Sequence, residues 1–119
     1  MKRFGLIGYP LTYSFSQKYF TEKFLHEGIK DCLYENFPLK NIIDFPQLLI
    51  SHHDLCGLNV TIPYKESVIP FLDELSDNAK QIGAVNFIQL QDEKKIGYNT
   101  DATAFENSLL PLLHNFNSN

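Results

Sequence analysis

Gly57-Leu58-Asn59-Val60-Thr61-Ile62-Pro63-Tyr64-Lys65 is the stretch on which the reading of this fold turns. Leu58, Val60 and Ile62 are apolar, Gly57 is small, and Pro63 closes the run. A short apolar stretch ended by proline reads as a strand near the centre of a sheet. Asn59 and Thr61 are two positions apart, so they share one face of that strand. Polar groups on a central strand must find partners or a ligand, because burying them unpaired is costly. Lys65 follows close behind, near an expected helix start, where a cation opposes the helix dipole. Taken alone it reads as an ordinary solvated lysine.

Outward from this strand the pattern alternates. Residues 3–9 read as a first buried strand ended by Gly8 and Pro10. Residues 14–27 read as a helix with Phe15, Tyr19, Phe20 and Phe24 on one face and Gly28 as its stop. Residues 32–37 read as a second strand closed by Pro38. Residues 41–51 carry a helical pattern in which Asp44 would cap and Pro46 would sit in the first turn. Residues 65–75 read as one or two short helices broken at Pro70, and 76–82 as another capped by Ser76. Residues 84–91 and 95–98 read as two strands around the polar turn Asp92-Glu93-Lys94. A helix is expected over 101–110 and a frayed tail over 115–119. The fold class expected is therefore α/β, a three-layer sandwich with a mixed, largely parallel sheet.

Composition agrees with a single packed domain. The chain has 119 residues, 44% of them hydrophobic and 20% charged, so it has apolar material for a core and does not read as disordered. The formal net charge of -4 argues against a phosphate-neutralising nucleic-acid binder. The apolar stretch after Lys2-Arg3 is too short for a signal peptide or a membrane span, and the expected location is cytoplasmic. Cys32 and Cys56 lack Cys-x-x-Cys spacing and read as reduced, buried thiols. His26, His52, His53 and His114 offer no metal-ligand constellation.

Three further segments cluster small and polar residues at strand ends, where open α/β sheets bind ligands. In Gly8-Tyr9-Pro10-Leu11-Thr12-Tyr13-Ser14-Phe15-Ser16 a strand gives way to a helix with hydroxyls at Ser14 and Ser16. A helix start offers free N–H groups, so two serines there suit a carboxylate; one of them also suits a plain N-cap. Ile82-Gly83-Ala84-Val85-Asn86 delivers Asn86 to a strand start, to hold turn backbone or a ligand. Gly97-Tyr98-Asn99-Thr100-Asp101 runs from a strand into a helix, with Thr100 or Asp101 fit to cap it.

In this order and at these separations, the four segments resemble the substrate domain of the shikimate dehydrogenase family, over residues 4–105. Asn59-Val60-Thr61-Ile62-Pro63-Tyr64-Lys65 and Asn99-Thr100-Asp101 carry most of the resemblance. It implies an NADP-linked oxidoreductase interconverting 3-dehydroshikimate and shikimate, on the way to aromatic amino acids. It also implies that Ser14 and Ser16 bind the substrate carboxylate. Asn59, Thr61, Asn86 and Asp101 would hold ring hydroxyls, and Lys65 with Asp101 would form the catalytic pair. Hydride chemistry at a secondary alcohol needs a group that takes or gives the hydroxyl proton, and a lysine oriented by a carboxylate can do so.

The sequence departs from the family pattern at Gln17, Phe87, Ala102 and Ala104, and Phe87 leaves quinate beside shikimate as substrate. No G-x-G-x-x-G turn occurs, so NADP is expected to be bound by a domain missing from this chain. Residues 1–110 are expected to form the substrate domain and 111–119 to begin a hinge. Alone, the chain is expected to be inactive. The alternative is a stand-alone binding or regulatory module that kept the pocket. The partners expected are the small-molecule substrate and, as an open case, a second copy in a homodimer; neither nucleic acid nor membrane is expected.

Overall fold

The computed structural model describes residues 2–11 and 15–100. The helix expected over 101–110, the tail over 115–119, the boundary at 110, and residues Ser14 and Asp101 lie outside the described residues.

The expected sheet forms, with six strands in the order β2-β1-β3-β5-β6-β4. Strand β1 is Lys2–Gly8, β2 is Cys32–Pro38, β3 is Leu55–Val60, β4 is Glu74–Leu75, β5 is Phe87–Gln91 and β6 is Lys94–Tyr98. The helices are α1 (Phe15–His26), α2 (Phe45–Ser51) and α3 (Asp77–Ile82). Strands β2, β1 and β3 are parallel, β5 is antiparallel to β3, and β6 is antiparallel to β5.

The layering follows from connection handedness. The chain steps one way along the sheet from β1 to β2 and back the other way from β2 to β3. Right-handed crossovers taken in opposite directions leave their helices on opposite faces. On one face Phe20 and Phe24 of α1 bury against Phe4, Leu6 and Tyr34. On the other, Phe45 and Leu48 of α2 join Ile7, Phe37, Leu58, Val60 and Ile88. Strand β1 is covered on both sides, which its apolar Phe4-Gly5-Leu6-Ile7 requires.

Local chemistry sets the element ends. Gly28 (φ 68°) ends α1 and Gly83 (φ 77°) ends α3, each in the left-handed region that lacks a penalty only for glycine. Ser76 caps α3 by accepting from the Ala79 N–H. Asp92 and Glu93, with φ of 52° and 64°, make a two-residue turn between β5 and β6. Positive φ at both central positions matches the strand twist.

Three expectations need correction. Asp44 is not a side-chain cap: the chain enters α2 through a 3-10 turn at Ile42–Asp44, so Asp44 is already helical, and Asn41 caps that turn by accepting from Ile43 N–H at 3.1 Å. Residues 65–75 form no α-helix. Pro63 and Pro70 bracket a run of turns with one 3-10 turn at Ile69–Phe71, and the chain then adds β4 beside β6. Lys65 is consequently not in a helix first turn. Cys32 and Cys56 are half-buried rather than buried, and burial pushes both thiols up.

Candidate functional site

Antiparallel pairing of the hairpin decides where the polar segments meet. Because β5 runs against β3, its start lies beside the carboxyl end of β3, with Asn59 opposite Phe87. Because β6 runs against β5, its end returns to the same rim, with Phe87 opposite Tyr98. The carboxyl ends of β1 and β2 arrive there in parallel. One rim of the sheet therefore gathers Gly8, Asn59, Thr61, Lys65, Asn86, Asn99 and Thr100. The first turn of α1, with Ser16 in its backbone, follows the carboxyl end of β1.

Asn59 and Thr61 take their places through β1. Asn59 pairs with Leu6, and its Nδ2 donates to the hydroxyl of buried Tyr34 at 2.7 Å. Thr61 lies one residue past β3, yet its N–H donates to Ile7 C=O at 3.0 Å and its C=O accepts from Tyr64 N–H at 3.0 Å. Its methyl packs on Gly8, where a Cβ would lie 2.5 Å away. Both peptide bonds entering Pro10 and Pro63 at this rim are cis.

Lys65 is exposed, but the turn carrying it is anchored. Tyr64 and Val68 on either side are buried, and the Tyr64 hydroxyl donates to Leu39 C=O. Burial pushes the Tyr64 phenol up, so it stays a neutral anchor. The Lys65 C=O accepts from Val85 N–H at 2.7 Å. Among the described residues no carboxylate lies within ion-pair distance of its ammonium.

Asn86 is the most connected residue of the rim. Its N–H donates to Tyr98 C=O at 2.9 Å, and its C=O accepts from Val60 N–H at 2.9 Å. Its side chain holds Thr100 on both sides: Oδ1 accepts from Thr100 N–H at 3.1 Å and Nδ2 donates to Thr100 C=O. Asn99 Nδ2 donates to Ala84 C=O at 3.0 Å.

Sequence reasoning missed two polar groups on or near this face and gave a third, Thr100, only a capping role. The Tyr34 hydroxyl orients Asn59. Asn36, paired with Leu6 on the far side of β1, has a buried Oδ1 with no partner among the described residues. Thr100 Oγ1 is buried and likewise unpartnered. Only strand register reveals the first two, and register across β1 is not written in local sequence. The opposite rim is different in kind: Arg3 Nε donates to both Asp54 carboxylate oxygens at 3.0 and 3.1 Å and the guanidinium also pairs with Glu35. That bond holds the Asp54 carboxyl below the usual carboxylate range, against the opposing effect of burial.

Arranged this way, the rim is suited to a small, hydroxyl-rich molecule. Amides and hydroxyls supply both donors and acceptors in a fan, with one ammonium at its edge. The fold and rim define an α/β domain with a candidate small-molecule site at the carboxyl ends of its strands. Residues 6–88 match the family described as the shikimate dehydrogenase substrate binding domain, and the chain belongs to that family. It is 38% identical over 109 residues to the NADP(+) shikimate dehydrogenase of Staphylococcus epidermidis, covering 90% of this chain and 40% of that one. Its structure resembles shikimate dehydrogenase 1 from Peptoclostridium difficile, with a TM-score of 0.79, 36% identity, and coverage of 89% of this chain and 40% of the other. It also resembles the 5-ketofructose reductase of a Gluconobacter species, with a TM-score of 0.78, 27% identity, and coverage of 92% and 40%. The chain thus spans about 40% of the length of the curated relatives it matches.

Proposed function

We propose that this chain is the substrate-binding part of an NADP-linked oxidoreductase interconverting 3-dehydroshikimate and shikimate. The convergence of residues 59, 61, 65, 86, 99 and 100 on one rim carries the reading. Asn59, Thr61 and Asn86 offer hydrogen bonds to ring hydroxyls, Asn86 with the N–H and lone pair its bonds to Thr100 leave over. Ser14 and Ser16, where the chain enters α1, take the substrate carboxylate with the free N–H groups of the helix start. Lys65, paired with Asp101, gives a proton to the substrate oxygen in reduction and takes it back in oxidation. The residues present do not fit NADP: the chain's glycines form no G-x-G-x-x-G turn. The nucleotide in this reading is held outside these 119 residues.

The substrate is small and anionic. Net charge supports a reading without nucleic acid, and the cytoplasm, away from the membrane, is the proposed location; among the described residues no helix is long and apolar enough to cross a membrane. A homodimer is the assembly to check by size-exclusion chromatography with light scattering. A second substrate reading is favoured by Phe87, beside Asn86, and by the likeness to 5-ketofructose reductase: a polyhydroxylated ketone other than 3-dehydroshikimate.

The test is turnover of shikimate, quinate and 5-ketofructose by the full-length enzyme, with and without Lys65→Ala. Loss of the proton carrier lowers kcat by a factor of about 100 or more with a smaller change in KM. An unchanged kcat removes Lys65 from proton transfer, and turnover of none of the three removes the reading.

A further inference from the structure

Two consecutive residues hold the backbone of Lys65 and that of Thr100, the residue before Asp101 in the sequence. Val85 N–H donates to the carbonyl of Lys65 itself at 2.7 Å. Asn86 then closes both sides of the Thr100 peptide with its side chain alone, Oδ1 accepting from the N–H and Nδ2 donating to the C=O. Asp101 is the next residue in the chain. Among the described residues no strand pairs with Thr100, and the Asn86 amide takes the place of a neighbouring strand's peptide. Among uncharged side chains of this length, only an amide offers an acceptor and a donor side by side in this way. Aspartate keeps the acceptor and sets a second acceptor against the Thr100 carbonyl. The backbone of Asn86 is itself held at Val60 and Tyr98, both at 2.9 Å, so the amide projects from a fixed base.

We infer that Asn86 is a positioning residue: its amide sets the Thr100 peptide, and with it the point from which Asp101 departs, relative to the turn that carries Lys65. The inference rests on the reading of Lys65 and Asp101 as the acid–base pair. It assigns Asn86 a part in setting the geometry of that pair, distinct from any hydrogen bond to substrate. An error of position there acts on the chemical step more than on substrate binding.

The experiment compares Asn86→Ala and the isosteric Asn86→Asp in the full-length enzyme, on shikimate and on analogues each lacking one ring hydroxyl. Both variants lower kcat by about tenfold or more, over and above any rise in KM from the lost contact to a ring hydroxyl. The loss is the same for every analogue. Asn86→Asp regains activity toward acidic pH, where a protonated carboxyl can again donate to the Thr100 carbonyl. In the 119-residue chain, Asn86→Ala speeds hydrogen exchange at the Thr100 amide, a readout independent of turnover. A raised KM with unchanged kcat, or a loss that disappears for one deoxy analogue, overturns the inference in favour of direct hydroxyl binding. Unchanged Thr100 exchange also overturns it. An unchanged kcat in Lys65→Ala would instead strike the acid–base pair, which the exchange measurement does not depend on.

Discussion

Gly8→Ala tests how closely the sheet rim and the candidate site are joined. The new Cβ would lie 2.5 Å from Thr61 Cγ2, 3.0 Å from the Ile62 carbonyl oxygen and 3.2 Å from Leu11 Cδ2. Carbon atoms at rest stand about 3.5 Å or more apart, so the Thr61 methyl must recede by roughly 1 Å. The backbone resists, since the Thr61 N–H is held by Ile7 and its C=O by Tyr64. Rotation about χ1 remains, and in a β-branched residue it swings the hydroxyl along with the methyl. Overpacking of this kind destabilises by about 1–3 kcal/mol. If Thr61 binds a ring hydroxyl as proposed, displacing its hydroxyl by about 1 Å weakens shikimate binding by roughly tenfold to a hundredfold. Guanidinium melts give the first quantity and calorimetric titration of the full-length enzyme the second. In a Thr61→Ser background, which lacks the Cγ2 methyl, the stability penalty should shrink by about 1 kcal/mol, a coupling that a double-mutant cycle measures. An unchanged denaturation midpoint together with unchanged affinity would refute the reasoning. Absence of coupling would show that the Thr61 methyl is not what Gly8 makes room for.

Three further outcomes are expected. Asn36→Leu replaces a buried, unpartnered acceptor with an apolar side chain of similar size and should leave stability unchanged or raise it by about 1 kcal/mol; a clear loss in urea melts would reveal a partner for Oδ1. The depressed Asp54 carboxyl makes stability acid-sensitive. The unfolded chain binds its proton first, so the Arg3–Asp54 contribution is complete above about pH 4 and disappears as pH falls through the lower folded-state value. Arg3→Leu should flatten the stability–pH curve in that window, and an equal slope in both proteins would exclude the pair as its source. Asp92→Asn with Glu93→Gly places residues suited to positive φ in the β5–β6 turn and should raise stability by about 1 kcal/mol, read as a higher melting temperature; no rise would mean the turn is not under the strain its φ values indicate.

Much of the architecture was legible because it depends on local signals. Gly28, Pro38, Ser76 and Gly83 punctuate the chain where a left-handed residue, a strand stop or a cap is needed, and the elements end at or within a residue or two of them. Asp44 and the 65–75 segment misled for a shared reason. Proline and aspartate are compatible with both α-helical and 3-10 starts, and a two-residue strand such as β4 exists only because β6 lies beside it. Asn59 and Thr61 were found from period-two spacing. Tyr34 was not, because it reaches Asn59 across β1 from 25 positions away.

Outside residues 65–75, the sequence by itself determined the order of strands and helices, the apolar faces that bury, and the polar segments stationed at strand ends, since each depends on spacing within a few residues. Only tertiary structure decided that these segments share one rim and that Asn86 spends its amide on the Thr100 peptide. Those outcomes follow from strand direction and register, which are settled when residues far apart in the chain pack and pair.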